Sequence, residues 1–231
     1  MAALGCNTGT CASGTTPRKF FFPPSVLTIK TSGVAGSFDA ISLASGDREH
    51  ALKSTATGSS YGVNDRFFMV MDTGTTVGVT ATVNVTPAAD KLFNATSTQY
   101  DGSLNGFYIN FATGEKGVNA PLAVNGFIFF ATNKPVDQDA TCKANLGQAK
   151  AYAVSPFLGT QTSNILAGGG LAPSPVSGLI SITNPDGSTS EEKFCIGCAM
   201  ECTGSTCSAL ENSPPPVTIP KNMRRTYWYR K

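Results

Sequence analysis

An Asn-Gly pair at residues 125–126, set between two apolar runs, constrains this chain more than any other feature. Both central residues of a two-residue type I′ turn need φ > 0, which Asn and Gly adopt with least strain, so the pair marks a β-hairpin. The run before it reads Gly117-Val-Asn-Ala-Pro-Leu-Ala-Val124, and the run after it Phe127-Ile-Phe-Phe-Ala-Thr-Asn133. A third run, Lys150 to Val154, begins as polar-apolar alternation and ends on a Pro156…Gly159 turn. Three strands of an antiparallel meander are predicted between Gly117 and Gly159.

The same grammar occurs twice more. An earlier unit begins at Phe20, with a strand just after the Pro23-Pro24 pair, where proline is tolerated at a strand start, then alternating Phe38–Ser45 and apolar Arg66–Asp72. A Thr-rich excursion follows, with a short helix expected over Ala88–Thr96, and Asn105–Phe111 supplies a fourth strand. The central unit carries a polar insertion, Lys134–Asn145, and a weak last strand from Ser163 to Gly170. A later unit opens at Ala172–Ile182, turns at Pro185-Asp-Gly187 and returns through Lys193–Gly197. Beyond it Pro214-Pro-Pro216 reads as extended chain, and Arg225–Arg230 as a closing strand. Residues 1–19, rich in Gly, Ser, Thr and Ala and without periodicity, read as a flexible N-terminal segment.

Repeated antiparallel units of this kind predict an all-β protein, a partial β-propeller with blades at roughly 20–111, 117–170 and 172–231. A sandwich or an open pair of sheets has the same strand content. Closed propellers use about four to eight blades, so three leave end faces that need a neighbour. Phe20–Phe22 and Trp228 are expected among the side chains packed between blades.

Composition narrows the function classes. Glycine at 24 and proline at 14 in 231 residues favour turns and short strands. A net charge of +2 with 14% charged residues gives no electrostatic case for a nucleic-acid partner. No apolar run approaches the roughly 20 residues that span a bilayer. Seven cysteines beside one histidine imply either an oxidising compartment or a metal site. Met1–Cys6 has neither a basic n-region nor a long apolar stretch, so an export signal is expected on residues outside this sequence.

The polar clusters offer chemistry without completing it. Asp47-Arg48-Glu49-His50 holds the sole histidine, which could act as a base with carboxylate support. No nucleophile in a recognisable setting accompanies it, and the preferred reading is a charged corner where a strand leaves the sheet, with Arg48 tying loops through bidentate contacts. Gly58-Ser-Ser60-Tyr-Gly62 matches the nucleophile-elbow spacing but lacks the strand before and the helix after, so it reads as a loop. Cys195, Cys198, Cys202 and Cys207 could hold zinc as four thiolates, pair as disulfides, or form a redox Cys-x-x-Cys at the first two. Cys6 and Cys11 lie close enough for a small disulfide loop, with a metal hook as the alternative. Lys221, Arg224, Arg225, Arg230 and Lys231 could form a basic patch, or a solvated edge that discourages pairing. No stretch offers the six or more clustered oxygens that calcium prefers; the residues around Asp65–Thr75 come nearest.

Four stretches taken together resemble one family. They are Ser45-Gly-Asp-Arg-Glu-His50, Asn145-Leu-Gly-Gln-Ala-Lys-Ala-Tyr-Ala-Val-Ser-Pro-Phe-Leu-Gly159, Gly168-Gly-Gly-Leu-Ala-Pro-Ser-Pro-Val176 and Arg225-Thr-Tyr-Trp-Tyr229, with Leu92-Phe-Asn-Ala-Thr96 in support. Their order is similar to the C-terminal region of the PilY family, tip-associated adhesins of bacterial type IV pili, over roughly Phe20–Lys231. The resemblance implies a quinoprotein-like propeller used in pilus assembly, surface attachment and surface sensing rather than catalysis. It implies minor pilins, a pilus-tip complex and a host or abiotic surface as partners, with missing N-terminal blades or other copies beside the end sheets. It also implies passage through the periplasm to the cell surface. No cofactor is expected, because the family's calcium loop and its N-terminal von Willebrand A-like domain are not in this sequence. The chain departs from the family at Ala51, where Pro is usual, at Lys150, where Arg is usual, and at Cys195-Ile-Gly-Cys198, where a Gly-rich strand end is typical.

An extracellular setting implies that most cysteines are oxidised, Cys6 with Cys11 and Cys142 with a member of the 195–207 cluster. Two rival readings differ in class: a fragment of a quinoprotein dehydrogenase, which shares the propeller type, and a cysteine-based metal-binding protein.

Overall fold

The structure is a computed structural model that describes residues 4–6, 16–30, 37–50, 62–72, 92–136 and 146–198. Among these described residues twelve strands run in order: β1 (Ser25–Lys30), β2 (Ser37–Ala44), β3 (Arg66–Asp72), β4 (Phe93–Asn94), β5 (Gly106–Asn110), β6 (Lys116–Gly117), β7 (Leu122–Val124), β8 (Phe127–Lys134), β9 (Gln148–Val154), β10 (Gln161–Ile165), β11 (Val176–Thr183) and β12 (Thr189–Ile196). One three-residue 3₁₀ turn, Arg48–His50, follows β2. Among the described residues no helix is long and apolar enough to cross a membrane.

The strands make three sheets. Sheet 1 has the order β1-β2-β3-β5-β4, sheet 2 the order β10-β9-β8-β6 with β7 also on β8, and β11-β12 is a separate hairpin. Pairing is antiparallel except between β4 and β5, where Phe93 faces Phe107 and Asn94 faces Tyr108 in parallel register. Here the sequence expectation is corrected. The described part of Ala88–Thr96 is not helical, because Phe93 is drawn into the aromatic cluster of Tyr100 and Phe107 and the backbone follows as an edge strand. A β-branched or aromatic side chain with a packing partner outweighs weak helix propensity.

The Asn125-Gly126 turn has φ of 53° and 79°, the positive pair that a type I′ hairpin requires. It sets Val124 opposite Phe127 and fixes which side chains of β8 face which way. Ile128 and Phe130 point to one face, with Tyr152 and Val154 of β9 beside them. That face packs on Phe67 and Met69 of β3 and on Phe107 and Ile109 of β5, so the main core lies between sheets 1 and 2. Phe130 stacks between Phe67 and Tyr152, its ring 4.7 Å from the first and 5.1 Å from the second.

The outer faces are covered as well. Phe68, Val70 and Leu43 of sheet 1 meet Leu4 and Phe20, with the Phe20 and Phe68 rings 6.0 Å apart. Phe21 is exposed. On the far side of sheet 2, Phe129 and Ala153 meet Cys195 and Cys198 at the end of β12. The layers therefore run from the N-terminal segment through sheet 1 and sheet 2 to the hairpin. The tail beyond Cys198, including the expected closing strand and Trp228, lies outside the described residues.

Candidate functional site

A group of buried charges closes one end of the seam between sheets 1 and 2. Three carboxylates define it: Asp47 after β2, Asp65 before β3 and Glu115 before β6, each 2% exposed or less. Buried charge costs several kcal/mol unless cations or donors surround it, and each carboxylate here has them. Glu115 accepts from the Thr132 hydroxyl and from the Tyr152 phenol at 2.8 Å through one oxygen, and from Lys150 at 3.2 Å through the other. The Ala112 amide also donates to it, at 3.3 Å. Asp65 accepts from the Ser45 hydroxyl at 2.8 Å and pairs with the buried Lys116 ammonium at 3.5 Å. Asp47 accepts from Lys19 at 2.6 Å and lies 3.0 Å from His50 Nδ1.

Burial pushes the Asp65 carboxyl above its ordinary value, against the opposing pull of the Ser45 hydrogen bond and the Lys116 charge. The Tyr152 phenol is pushed well above its ordinary value by burial first and by the Glu115 charge second. Two arginines stand behind Asp65 on the outer face of sheet 1. Arg18 donates to the Asn64 carbonyl at 2.7 Å, and burial, with the Arg66 charge second, pulls it down to about 10. Arg66 donates to the Asn110 side-chain oxygen at 2.6 Å and lies over the Tyr108 ring, 4.3 Å from its centre.

Close backbone approach completes the junction. Gly117 donates its N–H to the Ser45 carbonyl at 2.9 Å, and a Cβ on Gly46 would come within 2.3 Å of the Gly117 oxygen. At the opposite end of the seam, Tyr100 donates its N–H to the Leu158 carbonyl, and a Cβ on Gly159 would fall 2.8 Å from that of Ala95. A third contact lies within sheet 2: the Asn133 amide bridges the carbonyls of Leu146 and Gly170 at 3.0 and 2.7 Å.

The sequence cluster Asp47-Arg48-Glu49-His50 is divided by the fold. Asp47 is buried, whereas Arg48, Glu49 and His50 are exposed. Among the described residues the Arg48 guanidinium lies over Phe22, 5.6 Å from the ring centre, and the carboxylate that joins segments is that of Asp47, paired with Lys19. The sequence alone does not mark Asp65, Glu115 and Lys116 as site residues. Their signal is a charged residue placed directly against an apolar strand, in Asp65-Arg66-Phe67 and Glu115-Lys116-Gly117-Val118.

Cys195 and Cys198 are bonded to one another, so neither is available as a zinc thiolate in this structure. Cys6 is disulfide-bonded. Cys11, Cys142, Cys202 and Cys207 lie outside the described residues, as do Ala51, residues 58–61 of the elbow-like loop, residues 73–75 and the basic tail. Among the described residues no group of three His, Cys, Asp or Glu side chains is placed to hold a metal ion. Every carboxylate of the junction is engaged by neighbouring donors, and the Asp65–Lys116 pair joins sheet 1 to sheet 2. No known family profile, curated protein or solved structure matches this chain.

Proposed function

We propose that this chain is the C-terminal part of a PilY-family factor at the tip of a type IV pilus, a non-catalytic β-propeller segment that supports pilus assembly and surface attachment. The observation that carries the reading is where the family-like stretches fall. Ser45–Asp47 and Ser155–Gly159 sit at opposite ends of the seam between sheets 1 and 2, and Leu146–Gly147 meets Gly168–Gly170 at the edge of sheet 2. The first two of these contacts pin one sheet to the next, as a stack of blades needs. The antiparallel run β1-β2-β3-β5 and the meander β7-β8-β9-β10 also suit consecutive blades. Lys150, where the resemblance expects Arg, still carries a cation and pairs with Glu115 at 3.2 Å.

On this reading the outward face of β11-β12, with Val176, Ile180, Ile182 and Ile196 exposed, is where the stack continues into missing blades or another copy. The protein would pass through the periplasm, meet minor pilins there and finish at the cell surface. Binding of the purified, oxidised chain to minor-pilin ectodomains from the same host, followed by biolayer interferometry, tests the proposal. Saturable binding to one or more of them is expected. A folded chain that binds none would count against a tip-complex role.

A further inference from the structure

We infer that the Cys195–Cys198 bridge is a redox-controlled latch that seats the β11-β12 hairpin on the outer face of sheet 2, and that a dithiol reductant releases it. Of the side chains described between Val176 and Cys198, only these two are buried, each 2% exposed. They enter an apolar cluster with Phe129 and Ala153, flanked by Leu122, Val124 and Phe127. No residue of β11 is buried; each is exposed or half-buried. The bridge is therefore the knob by which the hairpin is held.

The strap before the hairpin is fixed by other means. Asn119 donates its side-chain amide to the Pro173 carbonyl at 2.7 Å, the Ala120 amide meets the Ser174 hydroxyl at 3.3 Å, and Ala172 is buried with Val118 and Leu166. The junction Pro175–Val176 thus separates an anchored strap from a latched hairpin and can serve as the hinge. Gly197, at φ 83°, lets the four-residue loop close, and it lies directly over Pro175, where a Cβ would come within 3.2 Å. The closed loop braces the hinge.

Reduction proceeds by thiol–disulfide exchange. A reductant thiolate attacks one cystine sulfur and expels the other as thiolate; its second thiol then resolves the mixed disulfide. Two electrons and two protons pass to the protein, giving Cys195 and Cys198 thiols and one disulfide in the reductant. The loop loses its constraint, the knob loses its shape, and the hairpin swings about Pro175–Val176. A free two-stranded hairpin is marginal in water, so it frays, and Leu122, Val124 and Phe127 become accessible.

Hydrogen exchange followed by mass spectrometry on the full oxidised chain tests this. One sample is treated with dithiothreitol and alkylated, with labelling of Cys195 and Cys198 confirmed by peptide mapping. A Cys195→Ala/Cys198→Ala variant isolates this bridge from the other disulfides. In both, amides of β12 and of Leu122–Phe129 should exchange roughly twentyfold faster, the factor expected from opening a loop this small, while β3 and β5 keep their protection. An unchanged pattern at β12 and Leu122–Phe129 in either sample, with the bridge shown to be open, would overturn the latch. Equal loss across β3 and β5 would overturn it too, because the bridge would then support the whole fold.

Discussion

The Phe67 ring of β3 lies parallel to the Phe130 ring of β8, with planes 3° apart and centroids separated by 4.7 Å. Each residue is fully buried and each belongs to a different sheet, so this stack is a direct measure of how strongly the two sheets hold together. Phe67→Ala and Phe130→Ala should each lower stability by about 3–5 kcal/mol. The double variant should show a coupling of about 0.5–1.5 kcal/mol in a denaturant-unfolding cycle. Additive losses would mean that the rings do not communicate across the seam.

Two glycines should fail for different reasons. Gly126 has nothing near its missing Cβ but a φ of 79°, so Gly126→Ala should cost about 1–2 kcal/mol, from backbone strain alone. Gly46 has an ordinary φ but would drive a Cβ into the Gly117 backbone at 2.3 Å, so Gly46→Ala should be the more damaging change. Urea midpoints rank the two, and the reverse order would contradict the close approach of these segments.

Strand positions were largely legible in the sequence because one face of each strand is buried. Apolar Arg66–Asp72 matches β3, and the Asn125-Gly126 turn fixed the register of β7 and β8. The parallel strand β4 was not legible, since its two residues are ordered by Tyr100 and Phe107, far from any local signal. The charged junction was hidden for a related reason. Charges next to strands usually face water, and only the fold reveals that Glu115 is met by Thr132, Lys150 and Tyr152 from neighbouring strands.

Asp65 should leave a signature in the pH dependence of stability. Its folded carboxyl titrates above the ordinary 3.8 because burial opposes its charge. The folded state therefore binds the proton more tightly than the unfolded state. The stability this contributes is fully present below 3.8 and is lost as pH rises through the folded value. Asp65→Asn keeps a hydrogen-bond partner for Ser45 and should flatten that slope. Parallel wild-type and variant profiles from denaturant unfolding between pH 3 and 8 would refute this assignment.

Tyr152 should behave as a phenol that resists ionisation. In ultraviolet titration it should remain protonated while the native fold persists, after the exposed tyrosines have ionised. Its proton is held more tightly in the folded state, so stability should fall as pH rises above the ordinary value of 10. Tyr152→Phe, which removes one donor from Glu115 and leaves three, should cost about 1 kcal/mol near neutral pH. A loss of several kcal/mol would mean that the phenol is the keystone of the junction rather than one donor among several.

The central claim, a blade stack that works at a pilus tip, is tested most directly in the host that encodes the chain. Pili sheared from the cell surface are purified, and antibody to this chain is used both to blot the fraction and to label it with gold. The account predicts that the chain travels with the sheared pili and that gold is confined to their ends. A chain that is stably produced but absent from the sheared fraction, or spread along the pilus shaft, would contradict it.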